Sequence, residues 1–333
     1  MGVTSGLSRE YIAGLYDGDG SFSVELSKRL SIPTGFQIKP CIALNLSEKD
    51  SIIFNDIIAT FPELNFTIQK GKLGNVCLRL RKESDVVVFL GEVLPFMRVF
   101  SSLQRARILK RIVDTILSSR RGMSYGSEKH FDKLLCLILQ MRRYSKRHRG
   151  INSHDIVTLL RKRGVSVSEC HNSMSLEEEA KDYVPEDFGL EYLAGLFDAE
   201  GYVGIYVHRC PRSRFGYYFR PIINLNLAIY DAGILYKLRD KFADLKPRIK
   251  IRKENNTAYF QIDNAECVGK FIRMLYPYVK LPTMRVRMEL VLQAIELIMD
   301  KAHYNEQGWK ELRSIVERLR TYSKRRRSRV IPY

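Results

Sequence analysis

A chain of 333 residues can bury one large core or two of medium size, and a composition 45% hydrophobic and 11% aromatic is that of a folded protein, which excludes a disordered one. Lys and Arg number 55 against 37 Asp and Glu, leaving +18 and calling for a polyanionic partner. No apolar run approaches the roughly 18 residues of a membrane span, so nucleic acid is favoured over membrane, and the six cysteines, at 41, 77, 136, 170, 210 and 267, include no CxxC, which signals neither a zinc site nor a disulfide framework and suits a reducing compartment.

The N-terminal stretch MGVTSGLSRE has no apolar h-region, so no secretion signal or lipid anchor is expected. From Tyr11, apolar residues at helical spacing (Ile12, Leu15, Tyr16) lead to Gly20, which predicts a short helix with its C-terminal stop. Asp17 and Asp19 crowd that C-terminus, the negative end of the helix dipole, so something positive should sit there. Beyond Gly20 the period becomes two: Phe22, Val24 and Leu26 alternate with Ser23, Glu25 and Ser27 in one strand, and Ile42, Leu44 and Leu46 alternate with polar positions in a second strand at 38–46. Ser47 is expected to cap a helix at 48–61 that Pro62 ends. A hairpin at 65–70 and 75–81 follows, then helices at 84–94, 103–117 and 130–144. The segment 151–187 reads as a linker with a short helix at 154–163.

The second half repeats this order. Tyr192, Leu193, Leu196 and Phe197 lead to Gly201, with Asp198 and Glu200 in place of Asp17 and Asp19. Strands at 203–208 and 220–227, a helix at 231–242, a hairpin at 248–252 and 258–262, and helices at 265–275 and 284–300 follow. Asp19 and Glu200 lie 181 residues apart, Pro95 and Pro277 182, and Tyr144 and Tyr322 178. So constant an offset marks an internal duplication. Pairing of the two motif helices through the small Gly14 and Gly195 would bring Asp19 and Glu200 together as an all-oxygen site suited to Mg²⁺, the apparatus of phosphodiester hydrolysis.

The nine-residue stretches IAGLYDGDG, from Ile12, and LAGLFDAEG, from Leu193, resemble the motif of the LAGLIDADG homing endonucleases, in the single-chain form that carries two motifs, and the resemblance covers nearly the whole chain. It implies that Asp19 and Glu200 bind the catalytic metals, Mg²⁺ or in its place Mn²⁺. It also implies that the backbone carbonyls of Gly18 and Ala199 point at metal and that Asp17 and Asp198 are mainly structural. It implies a basic residue near the active site, for which Arg98 and its repeat mate Lys280 are the candidates and Arg105 and Arg285 the rivals. The implied activity is a double-strand break in a long pseudo-palindromic DNA target, made across the minor groove to leave short 3′ overhangs.

The expected fold is α+β: two pseudo-symmetric αββαββα units at 1–150 and 188–333, joined by the linker 151–187, with motif helices packed at the domain interface and the two sheets forming a DNA-binding saddle. On its polar faces the candidate base readers are Ser23, Glu25, Ser27, Lys39, Asn45, Gln69 and Arg79 in the first half, and Tyr206, His208, Arg220, Asn224, Asn226, Lys250, Arg252, Tyr259 and Gln261 in the second. In the strand Arg248 to Arg252, Ile249 and Ile251 should turn inward. The basic runs at 142–149 and 320–329 suit phosphates. Expected partners are double-stranded DNA and, as a further candidate, the protein's own intron RNA, with no membrane and a monomeric state, in an organelle or a prokaryotic cytoplasm. Two other readings stay open: an RNA maturase that assists intron splicing, and a non-catalytic DNA-binding protein on the same fold.

Overall fold

In the computed structural model of the protein, the structure describes residues 6–31, 34–71, 74–120, 128–144, 152–170 and 175–322. The chain divides into two units, Met1–Tyr192 and Leu193–Tyr333.

The first unit opens with helix α1 (Arg9–Asp19), whose N-cap Ser8 accepts the Tyr11 N–H, and which passes directly into strand β1 (Gly20–Lys28). Then come β2 (Phe36–Ser47), α2 (Ile53–Thr60), β3 (Thr67–Lys70), β4 (Asn75–Leu80) and α3 (Glu83–Val93). The unit continues with α4 (Phe100–Arg120) and α5 (Glu128–Arg143), which follow the αββαββα order where helices at 103–117 and 130–144 were expected. All strand pairs are antiparallel, in the order β1-β2-β4-β3. One face of this sheet carries Phe22, Val24, Leu26, Ile42, Leu44, Leu78 and Leu80, all buried, over helices that contribute Phe54, Val86, Phe89 and Leu90. Each such side chain stabilises the unit by about 1.5–3 kcal/mol. Tyr16 ties α1 into this core, with its ring 5.0 Å from Phe89 and 6.1 Å from Phe22.

Gly20 is fixed by close approach rather than by backbone dihedral. A Cβ there would stand 2.2 Å from the Tyr16 carbonyl oxygen, because the strand leaves the helix across its last turn; at Gly201 the same distance, to Phe197, is 2.3 Å. The predicted helix at 48–61 is shorter than expected. Ser47 is the last residue of β2, paired with Asn75, and its hydroxyl donates to the buried Asp50 carboxylate at 2.8 Å, so the chain makes turns over 48–52 before α2 starts.

Residues of the expected linker pack on the first unit. Helix α6 (Ser153–Lys162) buries Ile156 and Leu160, Arg163 donates to the Asp132 carboxylate on α5 and lies over the Phe131 ring, and Cys170 is bonded to Cys136 of α5. This disulfide corrects the reading that the cysteines carry no disulfide: the two residues are 34 apart in sequence, and only the folding of α6 back along α5 brings their Cα atoms to 4.8 Å. A short helix α7 (Leu176–Lys181), closed by a Ser175–Glu178 capping box, presents Glu179 to Tyr144 and Arg143 at 2.6 and 2.9 Å.

The second unit repeats the first: α8 (Leu190–Glu200, whose first turn belongs to the first unit), β5 (Gly201–Arg209), β6 (Tyr217–Ala228), α9 (Gly233–Lys241), β7 (Arg248–Arg252), β8 (Thr257–Ile262), α10 (Ala265–Leu275), α11 (Pro282–Met299) and α12 (Glu306–Thr321). Its sheet has the equivalent order β5-β6-β8-β7. The core centres on Phe271, whose ring lies 5.6 Å from Phe197 and 5.4 Å from Phe242. Ile251, expected inward, is 41% exposed: it lies on the core side opposite Ala258, but β7 is the edge strand of the sheet. No helix among the described residues is long and apolar enough to cross a membrane.

The Cys136–Cys170 bond closes a loop of 34 residues, a constraint on the unfolded chain worth about 2–4 kcal/mol. Cys170→Ser is expected to lower the unfolding free energy of the first unit by that amount, and added reductant should lower the wild type equally and the variant not at all, as read by urea denaturation.

Candidate active site and nucleic-acid interface

Each motif helix ends in two acids with different surroundings. Asp17 is buried, and one carboxylate oxygen accepts the backbone N–H groups of Arg98 at 2.6 Å and Val99 at 3.0 Å, together with the Tyr192 hydroxyl at 2.5 Å. Asp198 is buried too, and accepts the N–H groups of Lys280 at 2.9 Å and Leu281 at 3.1 Å. In each unit these donors open the long helix after the sheet, α4 or α11. The positive group that the crowded acids called for is therefore a helix N-terminus. In the first unit the Ser102 hydroxyl also donates to the Asp17 carbonyl at 3.0 Å, satisfying an end carbonyl of α1. Burial and the nearby Asp17 carboxylate raise the Tyr192 hydroxyl far above its ordinary pKa, so it stays a donor.

The second acid of each pair, Asp19 or Glu200, is half-buried on the last residue of its helix, immediately before the strand. Gly18 is half-buried and Ala199 buried. Among the described residues no three His, Cys, Asp or Glu side chains cluster as a metal cage. Hard carboxylate oxygens supplied singly fit Mg²⁺ nonetheless, because that ion keeps several waters and is commonly held by one or two carboxylates plus substrate phosphates.

The basic candidates separate. Arg98 is buried, and its guanidinium donates to the carbonyls of Pro95 (2.7 Å), Met97 (2.9 Å) and Asp187 (3.2 Å) and pairs with Glu186 at 3.3 Å. In the second unit Arg285 holds the Val279 carbonyl at 2.9 Å and lies 4.3 Å over the Tyr276 ring. Val279 and Met97 are equivalent positions, so Arg98 and Arg285 do one structural task from different places in the sequence. Arg105 donates to the Ser101 carbonyl and the Ser102 hydroxyl. Lys280 is exposed. The repeat mate of Arg105 is Arg287, which sequence reasoning missed; it is buried, donates to the Val203 carbonyl at 3.0 and 2.5 Å, and stacks on Tyr202.

Strand register places every proposed reader on the polar face of its sheet. In the first unit Ser23 lies opposite Cys41, Glu25 opposite Lys39, Asn45 opposite Cys77 and Cys77 opposite Gln69, with Arg79 beside Thr67, and Ser27 continues the row. In the second unit Tyr206 faces Arg220, Asn224 faces Gln261, Asn226 faces Tyr259, Tyr259 faces Lys250, Arg252 faces Thr257, and His208 faces Tyr218. Two of these do not reach solvent: Asn224 and Gln261 are 8% and 7% exposed, because Tyr206 bonds over the first and Lys250 over the second. Arg248, on the same face opposite Gln261, opens the same alternating run and belongs with Lys250 and Arg252, although it was not among the expected readers.

The basic runs behave differently from expectation where they are described. Arg142 is buried and Arg143 is paired with Glu179, because the last turn of α5 packs beneath linker residues; neither is presented to phosphate. Residues 145–149 and 323–329 lie outside the described residues.

The sequence model of the LAGLIDADG endonuclease family matches residues 12–95 and 193–284. The chain belongs to this family, and its two matched regions make it a single-chain member with two motifs. Solved structures of similar fold include the I-SmaMI LAGLIDADG homing endonuclease bound to cleaved DNA (14% identity, TM-score 0.78, covering 95% of this chain and 97% of that one). The I-CpaMI LAGLIDADG meganuclease bound to uncleaved DNA is also similar (16% identity, TM-score 0.78, 93% and 98%), as is the I-LtrWI LAGLIDADG homing endonuclease bound to target DNA (17%, 0.76, 94% and 98%). No curated protein matches the chain by sequence.

The two acids of a motif should separate on substitution. Asp198→Ala leaves two helix-opening N–H groups without their buried acceptor and is expected to cost about 2–4 kcal/mol. Glu200→Gln is expected to change stability by less than about 0.5 kcal/mol. Urea denaturation of both variants reads the difference.

Proposed function

We propose that the protein is a site-specific DNA endonuclease that cuts both strands of a long, pseudo-palindromic duplex, with Asp19 serving one strand and Glu200 the other. The observation that carries this reading is the repeated arrangement in each unit: a motif helix ends in a half-buried acid and runs straight into a four-stranded sheet whose free face is polar and basic. Cleavage across the minor groove, leaving short 3′ overhangs, follows from the family pattern.

The residues divide the work. Asp19 and Glu200, with the carbonyls of Gly18 and Ala199, would hold Mg²⁺, for which Mn²⁺ can substitute. When bound, the ion makes a water acidic enough to attack and offsets charge on the scissile phosphate. Lys280, exposed beside the Asp198 cap, supplies positive charge toward the phosphodiester in the second half. Arg98 holds the equivalent turn of the first unit in place. The sheet faces lie along the grooves, where Arg and Lys suit guanine and Asn and Gln suit adenine. Both halves being present in one chain, it acts as a monomer.

The exposed Tyr206 and Tyr218 on the second sheet favour one additional reading, binding of single-stranded intron RNA by stacking. Competition of duplex target with that RNA tests it: an RNA that fails to displace the duplex removes this reading.

Incubation with a duplex selected from a random library should give cutting with Mg²⁺ and none with EDTA. Asp19→Asn and Glu200→Gln should each remove most cleavage while binding in Ca²⁺ persists; cutting by either variant at the wild-type rate would overturn the assignment. Sedimentation should find one chain per duplex. Arg252, which extends over the Tyr259 ring at 4.9 Å, should on replacement by Ala cost about 1–3 kcal/mol and relax preference at one base position of the second half-site. An equal loss at every position would make it a phosphate contact.

A further inference from the structure

The polar face of the second sheet carries one carboxylate that none of the roles above uses. Asp263 follows the last residue of β8, with its side chain 10% exposed. One oxygen pairs with Arg220 of β6 at 3.4 Å and accepts the Gln261 side-chain amide at 3.0 Å; the other accepts Arg248 of β7. The Gln261 carbonyl oxygen in turn accepts the Lys250 ammonium at 2.9 Å. A single acid thus organises cations from two strands that flank its own, and those cations remain accessible, with Arg220 35% and Arg248 60% exposed. In the first unit the equivalent residue is Arg81, so the carboxylate at this position is particular to the second sheet.

We propose that Asp263 is a positioning residue for base recognition by the second unit: it holds Arg220 and Arg248, and Lys250 through Gln261, so that they address base edges and are weakened as phosphate ligands. This rests on the reading that the sheet face contacts DNA. An arginine offers five N–H donors in a rigid fork, and engaging some of them with a carboxylate fixes the direction of the rest. Long cationic side chains ordered before binding lose less freedom on binding. The carboxylate also lies well within one Debye length of its cations, about 8 Å at physiological salt, and offsets their pull on any nearby phosphate. Specificity is gained and indiscriminate affinity is reduced by one group.

The test uses the full chain with its selected duplex, each single-base variant of that duplex, and an unrelated duplex over a salt series. Asp263→Asn should lower discrimination about fivefold to tenfold at the few adjacent positions addressed by Arg220 and Arg248. It should also tighten binding to unrelated DNA, with the slope of log K against log salt steeper by about 0.9 for each arginine that turns to a phosphate. Asp263→Glu, which keeps the charge, should restore most of the discrimination, and Asp263→Asn should have no further effect at those positions in an Arg220→Ala, Arg248→Ala background. Wild-type discrimination and slope in Asp263→Asn, or a loss uniform across sequences, overturns the proposal. Should Asp263→Asn not fold, Arg248→Ala tests the same point, since Asp263 keeps Arg220 and Gln261 as partners: selective loss at the expected positions supports the proposal and uniform loss overturns it. If Lys250→Ala and Arg252→Ala also leave DNA binding unchanged, the sheet reading itself fails; if they weaken binding while Asp263→Asn is silent, only the role of Asp263 falls.

Discussion

A buried carboxylate at the start of a long helix is the contact on which each unit depends. Asp17 reaches the N-terminus of α4 and Asp198 that of α11, and in both cases two consecutive backbone N–H groups close on one carboxylate oxygen. The contact joins the end of the motif helix to an element more than eighty residues later. Because the strand begins three residues after that acid, the same contact sets where the sheet begins, and with it the position of Asp19 or Glu200. A carboxylate at a helix C-terminus is unfavourable in isolation; here it is stabilised by the opposite end of another helix, and the local conflict disappears at the level of the unit.

Division of labour within each acid pair follows from burial. The first acid is inside, with one oxygen accepting the two backbone N–H groups that lead into the long helix. The second lies at the helix end where the chain turns outward, close to the junction with the strand. The glycine between helix and strand makes this possible, since at Gly20 and Gly201 any Cβ would collide with the carbonyl of the preceding turn. Helix, acid and strand are therefore continuous, with the strand starting on the residue after the acid.

Much of this was legible in the sequence, because the signals are local and repeated. Alternation of Phe22, Val24 and Leu26 with Ser23, Glu25 and Ser27 predicts a two-faced strand, and the register puts these residues on opposite faces. The split between Asp17 and Asp19 came from resemblance to a family; nothing in their spacing says which is buried. What the sequence did not show depends on distant partners. Cys136 and Cys170 carry no pairing signal until α6 folds back along α5. Arg142 reads as part of a basic surface run and is buried because linker residues cover it. Helix α12 had a readable signal in its N-cap Asn305 and the apolar positions Leu312, Ile315, Val316 and Leu319, masked by the charge run that follows.

The different ways in which the units hold one turn bear on recombining such proteins. The first unit grips the Met97 carbonyl with Arg98, and that arginine depends on Asp187 and Glu186 near the end of the connecting segment, while Tyr183 donates to the Arg98 carbonyl. The second unit holds the equivalent Val279 carbonyl with its own Arg285. The halves are consequently not interchangeable modules. A hybrid nuclease that takes its N-terminal half from this chain must carry the connecting segment through residue 192 with it, whereas a donor of the C-terminal half can be joined at residue 193 without loss of that support. The connecting segment is structurally part of the first copy of the repeat.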